Sequence, residues 1–189
     1  MDNSLIIARL KNAGVSFAPG LSSDEFTTIE STFGFRFPVE IRDFLACFLP
    51  AGDRFFNWRD FSDTNIEKFW NNLQAHEKAF LFDIENNFDD LRDLLGDRFS
   101  GITDKKVFTE AVLNYLNQSA RLIPFYAHRC FFDGMDHMPI VSFLQPVDVI
   151  LYGENFEDYL EVEFLGKKCC LDHIPEQMKQ TGIWYDLIC

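Results

Sequence analysis

The sequence predicts an α+β fold, a mainly antiparallel sheet packed by helices. Three observations carry that prediction. Apolar residues recur at helical spacing through most of the first 117 residues. Short apolar runs crowd the last third. Two of them, 139–145 and 147–153, are separated by little more than Pro146, too close for a parallel crossover and right for a hairpin or a bent strand. Helices first and strands framed by helices place the helices against one face of the sheet. With 189 residues, 22 of them Phe, the chain can bury a large aromatic core. We expect one domain over 1–189: a core of about 20–165, an N-terminal helical part in 1–19 and an extension in 166–189.

The best-specified stretch is Leu21 to Leu49. Ser22 and Glu25 have capping-box spacing, and Leu21 and Phe26 occupy the two staple positions. Phe26, Ile29 and Phe33 share a helical face, and Gly34 suits the left-handed residue that closes the helix. Pro38 suits the first turn of a second helix. Ile41, Phe44, Leu45 and Phe48 form its apolar stripe, Cys47 is read as a small buried hydrophobe, and Pro50 stops it.

The remaining elements follow in order. Residues 4–13 read as a short amphipathic helix and 54–58 as an aromatic strand. Ile66, Phe69, Trp70 and Leu73 mark a helix over 63–78, and AFLFDIE (79–85) reads as a strand. Phe88, Leu91, Leu94 and Leu95 mark a short helix. Another runs from about 105 to 117. RLIPFYAHRCFF (121–132) reads as one strand and DGMDHM as a turn. Asn155 caps a helix through Phe156, Tyr159 and Leu160. Trp184, Tyr185 and Leu187 of the tail are expected to dock back onto the body.

Charge narrows the function classes. The net charge is −13, and the three segments 1–52, 53–110 and 111–189 carry −2, −5 and −6. That sign opposes a phosphate backbone or an anionic membrane and favours a basic protein partner. The N-terminus lacks a signal-peptide pattern, no stretch has membrane-span length, and the cysteine count is odd. We therefore expect a cytoplasmic chain with free thiols.

Four constellations in the sequence bear on chemistry. Asp83 and Glu85 share a face of the expected strand, with Asp89 and Asp90 nearby, an arrangement open to a divalent cation or acid–base work and equally to a solvated strand end. His128, Cys130, Asp133, Asp136 and His137 are zinc-competent types without the spacing of a common zinc site. Cys169-Cys170 stands beside Lys167 and Lys168 with nothing marking a reactive thiol. Glu154, Glu157, Asp158 and Glu161 fall at i, i+3, i+4 and i+7 and form one acidic helix stripe. Like charges at that spacing work against an isolated helix, so the stripe is either a solvated face or a contact surface for a basic protein. No nucleotide loop, catalytic triad, metal or cofactor motif is present in the sequence.

Several segments, in order, resemble the SUKH superfamily: the capped helix and GFRFP corner with RDFL (20–49), FFNWRDF (55–61), LFDIENN (81–87), LIPFYAHRCFF (122–132) and the run 139–164. The resemblance covers about residues 20–165. It implies an α+β single domain without a shared catalytic site. It also implies a non-enzymatic immunity protein that binds and neutralises a toxin domain of a bacterial polymorphic toxin system, a nuclease being a frequent target. The alternative is a regulatory scaffold without a toxin partner. A third option, apart from the resemblance, is a metal-dependent enzyme using Asp83, Glu85 and His128. The contact residues expected are Glu154, Glu157, Asp158 and Glu161, with Trp58 or Tyr159 as an aromatic anchor. No cofactor, metal, nucleic acid or membrane is expected as a partner.

Overall fold

The computed structural model describes residues 3–169, 171 and 173–188. Its helices are α1 (Asn3–Asn12), α2 (Ser23–Phe33), α3 (Val39–Cys47), α4 (Asp63–Asn86), α5 (Phe88–Leu94), α6 (Lys105–Gln118), α7 (Phe156–Leu165) and α8 (Ile183–Asp186). Its strands are β1 (Ser16–Pro19), β2 (Phe48–Ala51), β3 (Leu122–Tyr126), β4 (Arg129–Phe132), β5 (Ile140–Gln145) and β6 (Asp148–Tyr152). β1 and β2 form a small antiparallel pair, and β3 to β6 form an antiparallel meander in chain order. The α+β class read from the sequence is the one observed.

The central sheet is apolar on both faces, and the pleat sorts its side chains into two cores. Ile123, Phe125, Phe131 and Ile140 face one core, with Ile6, Ile29, Phe44 and Tyr159 from α1, α2, α3 and α7. Leu122, Cys130, Phe132, Val141, Phe143 and Leu151 face the other, with Phe80, Leu91, Phe108 and Trp184 from α4, α5, α6 and α8. Helices therefore cover both faces, not one as the sequence led us to expect. The reason is visible in β4, Arg-Cys-Phe-Phe, where all four residues are buried: neither face can be left to water.

The opening stretch forms as its residues dictate. Ser22 accepts the Glu25 N–H while Glu25 accepts the Ser22 N–H, completing the capping box. Gly34 is left-handed (φ 67°) and its N–H bonds back to the Glu30 carbonyl. Glu25 also holds the Arg59 guanidinium, which bonds the carbonyls of Pro19 and Gly20. Arg59 and the Ser22 N–H hold the Glu25 carboxyl down to about 2. α3 ends at Cys47, which is exposed, and Phe48 starts β2. Cys47 is thus not the buried hydrophobe expected.

Three further expectations change. Residues 63–86 are one helix, so the strand expected at 79–85 does not exist; Phe80 and Ile84 lie four apart and bury together in one core. Residues 121–132 are not one strand but a hairpin, turned at Ala127 (φ 51°). Residues 54–58 contribute only an isolated bridge, Phe55 to Tyr126, beside the Phe56 N–H bonded to the Phe125 carbonyl. The turn at 133–138, the helices around 105–117 and after Asn155, and the docking of Trp184 and Leu187 follow the sequence reading.

The α2–α3 corner and the β4–β5 turn are tied by side chains accepting backbone N–H groups. Asp133 accepts from Arg36, Asp136 from Val39 at 2.7 Å, and Glu40 from His137 at 2.8 Å. Val39 opens α3, where Pro38 supplies no side-chain cap, so Asp136 satisfies one of the helix's orphan donors from 97 residues away. Asp136→Ala should therefore behave as the loss of a helix cap, about 1 kcal/mol. Urea unfolding should show a lower midpoint at unchanged slope, with Asp136→Asn losing less.

Candidate functional site

One surface concavity is an open cleft of about 620 Å³. Its walls are Glu40 of α3, His137 of the β4–β5 turn, residues 154–157 at the start of α7, and residues 173–177 of the C-terminal segment. Four carboxylates (Glu40, Glu154, Glu157 and Glu176) and two histidines (His137 and His173) line it, with no lysine or arginine among the lining residues. A second concavity of about 510 Å³ near β2 mixes Asp53 and Asp60 with Arg59 and Lys68 and has no such bias.

Local structure fixes the cleft's acidic wall. Asn155 caps α7 by accepting the Asp158 N–H at 3.0 Å, and Asp158 accepts the Glu154 N–H at 2.9 Å. Gly153 (φ 82°) precedes them; a Cβ there would sit 2.5 Å from the Tyr159 nitrogen, so only glycine allows the chain to pass this close to the new helix. Glu154 and Glu157 remain exposed, and among the described residues no cation pairs with either. Opposite them, Glu40 Oε1 accepts the His137 N–H, while Oε2 is buried without a hydrogen-bond partner and lies 3.8 Å from His137 Nδ1. Burial raises the Glu40 carboxyl above the ordinary range. Gln177 joins the C-terminal segment to this corner by donating to the His137 carbonyl at 3.1 Å.

The structure divides the expected contact residues into three groups. Glu154 and Glu157 stand on the cleft. Asp158 and Glu161 are partly covered and engaged within the chain: Lys167 binds both, and Arg9 of α1 binds Glu161. These two cations lower the Glu161 carboxyl and help hold the stripe together. Trp58 and Tyr159 are not surface anchors at all. Trp58 is 1% exposed, its ring ringed by Phe33, Phe35, Phe37 and Phe56 with centroids 4.4–6.0 Å away. Tyr159 is fully buried, and its hydroxyl has no hydrogen-bond partner. Aromatic surface from several segments outcompetes water for both rings.

The other constellations resolve into structural roles. Asp83 is fully buried on α4, accepting from Asn87 Nδ2 at 2.8 Å and from the Val147 N–H at 3.3 Å. Glu85 points outward to Lys105, so the pair expected on one strand face is split by the helix. Asp89 pairs with Arg92, and Asp90 is exposed. Asp133 and Asp136 are spent on the corner described above. His128 neighbours Arg129 in the β3–β4 turn; burial first and Arg129 second lower its pKa. Arg129 itself is buried, bonded to Glu163 at 2.9 Å and Ser142 at 2.9 Å, and stacked 3.7 Å from the Tyr152 ring. The buried Cys130 thiol is pushed up to about 12 and is inert as a nucleophile. Cys169 is exposed, its thiol donating to the Leu151 carbonyl; Cys170 and Cys189 lie outside the described residues. No group of three or more His, Cys, Asp or Glu among the described residues is placed to hold a metal ion. No helix among them is long and apolar enough to cross a membrane.

Sequence reasoning found Glu154 and Glu157 through the acidic stripe, and named His137 for another role. It missed Glu40, His173 and Glu176, because no spacing joins residues so far apart in the chain. Comparison with protein-family models, curated proteins and solved structures finds no match to this chain.

Three substitutions check this description. Tyr159→Phe removes a buried hydroxyl without a partner and should leave stability unchanged or raise it, whereas Trp58→Ala should lose about 3–5 kcal/mol in chemical denaturation. Glu40 has a raised folded pKa, so its ionisation opposes folding as pH rises above the unfolded value. Glu40→Gln should therefore gain stability relative to wild type at pH 7, and the gain should vanish below about pH 4.5, the ordinary carboxylate value.

Proposed function

We propose that this chain is a SUKH-type immunity protein, a non-enzymatic inhibitor that binds a basic toxin domain, a nuclease among the candidates. The observation that carries the reading is the acid-lined cleft, with Glu154 and Glu157 exposed and unpaired at its rim. A nuclease surface is built to hold phosphates, and carboxylates offered at comparable spacing compete for the same lysines and arginines. The excess of acids over bases in residues 111–189 adds a long-range field that speeds encounter with a basic surface. The ordered segments resembling the superfamily supply the family part of the reading. Cytoplasmic residence belongs to the same proposal, since that is where such an inhibitor meets its target.

A regulatory scaffold without a toxin partner is the second reading. It is favoured by a different surface, the outer side of α4, where Trp70, Leu81 and Phe82 are 40–56% exposed.

The test is co-expression with the toxin domain encoded beside this chain. Binding and protection of the host cell are expected. Glu154→Lys with Glu157→Lys should weaken the complex at least tenfold in calorimetry, mainly at low salt, while Lys78→Ala should not. A complex whose affinity ignores the double reversal would overturn the cleft as the interface. Absence of both binding and protection would overturn the immunity reading itself.

A further inference from the structure

Away from the cleft rim, α4 holds an ionisable ring in an aromatic wedge. The His76 ring meets Phe143 of β5 edge-to-face at 4.9 Å and Trp184 of α8 at 5.8 Å. Phe143 and Trp184 meet each other at 5.4 Å, so three rings from three elements close on one point. Among the described residues no group hydrogen-bonds the imidazole. Two cavities reach it. One of about 300 Å³ brings Asn72, His128 and Cys130 to one side; one of about 180 Å³ brings Glu77, Ser119 and Arg121 to the other. α8 adds Asp186, which is held by Arg98 and by the Tyr115 hydroxyl and so is engaged elsewhere. The ring therefore has solvent access for a proton and no anion positioned to stabilise the cation.

The contact matters because of what α8 carries. A 3-10 turn, Glu176–Thr181, leads directly into α8, and residues 173–177 just before and within it are the cleft's C-terminal wall. The segment is otherwise held by Met178, Ile183, Trp184 and Leu187, buried in the second core, and the His76 wedge sits at the centre of that apolar contact. Polar ties add to it: Gln177 to the His137 carbonyl, Trp184 Nε1 to the Ala120 carbonyl, the Ile183 N–H to Ser119 Oγ, the Ala120 N–H to the Thr181 carbonyl, and Asp186 to Arg98 and the Tyr115 hydroxyl.

We propose that His76 is an acid-responsive latch, whose protonation releases residues 176–188 from α4 and β5 and so opens the cleft wall. Its consequence for partner binding rests on the proposed function; the release itself does not. Burial alone lowers the folded imidazole from 6.5 to about 4. The released segment leaves the ring with ordinary basicity, so docking is at full strength above about pH 6.5 and weakens progressively as pH falls toward 4. At pH 5.0, still above the ordinary carboxylate range, linkage gives roughly a thirtyfold shift toward the released form.

The experiment is hydrogen exchange on the full chain without a partner, at pH 7.5 and 5.0, corrected for intrinsic rates. In wild type the amides of Tyr185, Leu187 and Ile188 should lose at least tenfold in protection at pH 5.0, while the sheet amides keep theirs. His76→Phe and the more polar His76→Gln should abolish that difference. Equal protection at both pH values in wild type, a loss shared by the sheet, or the same acid response in His76→Gln would overturn the latch. If neither variant folds, the wild-type contrast between α8 and the sheet decides alone. With no partner present, failure here leaves the immunity reading standing, and failure to bind a toxin leaves the latch standing.

Discussion

A four-stranded sheet with no face fit for water is the constraint on which the rest of this structure depends. β3 to β5 place apolar side chains alternately on both sides, and every residue of β4 is buried. Helices must then cover both faces, and one chain must supply them in order. α4 makes the connection: Phe69 packs in the first core, and Phe80, eleven positions on, packs in the second. At 1.5 Å per residue its 24 residues span about 36 Å, enough to cross from one layer to the other. A strand at 79–85 would have ended that crossing and left the second face uncovered.

Double coverage brings polar groups inside, and Asn65, Asp83, Arg129, Ser142 and Thr181 each find hydrogen-bond partners there. Arg129 enters the first core because its strand has no exposed side, and it meets Glu163, Ser142 and the Tyr152 ring there. Such a buried pair adds little net stability, since desolvation offsets attraction, yet removing one partner would strand the other. Asp133 and Asp136 act similarly at the corner, where one carboxylate accepts the Arg36 N–H ahead of α3 and the other the Val39 N–H that the proline-led helix leaves open. Residue types that suggested a metal site are thus consumed by backbone.

The same internal use thins the acidic surface. Lys167, Arg9 and Arg129 take up Asp158, Glu161 and Glu163, leaving Glu154 and Glu157 as the acids of this helix region that remain exposed and without an ion pair. The acidic stripe is therefore half a device for docking α7 onto α1 and half a free surface. The free half adjoins a cleft whose far wall is the C-terminal segment, so partner recognition and the packing of α8 are mechanically linked in the proposed scheme.

Local signals in the sequence determined the α+β class, the capping box at Ser22, the left-handed Gly34, the Asn155 cap and the closely spaced apolar runs that became β5 and β6, because each depends on residues within a few positions of one another. That those two runs form a hairpin and not one bent strand came from their pairing. The tertiary structure alone decided the rest. AFLFDIE is apolar at positions compatible with either period, and the second core selected the helix by burying Phe80 with Ile84. β1 and β2 are four residues each, both contain proline, and find one another across about thirty intervening residues. Trp58 and Tyr159 look like anchors in sequence; rings from distant segments make them core. Glu40, His137, Glu154 and His173 have no common spacing, so the cleft they line exists only once the corner, the turn, α7 and the C-terminal segment have packed.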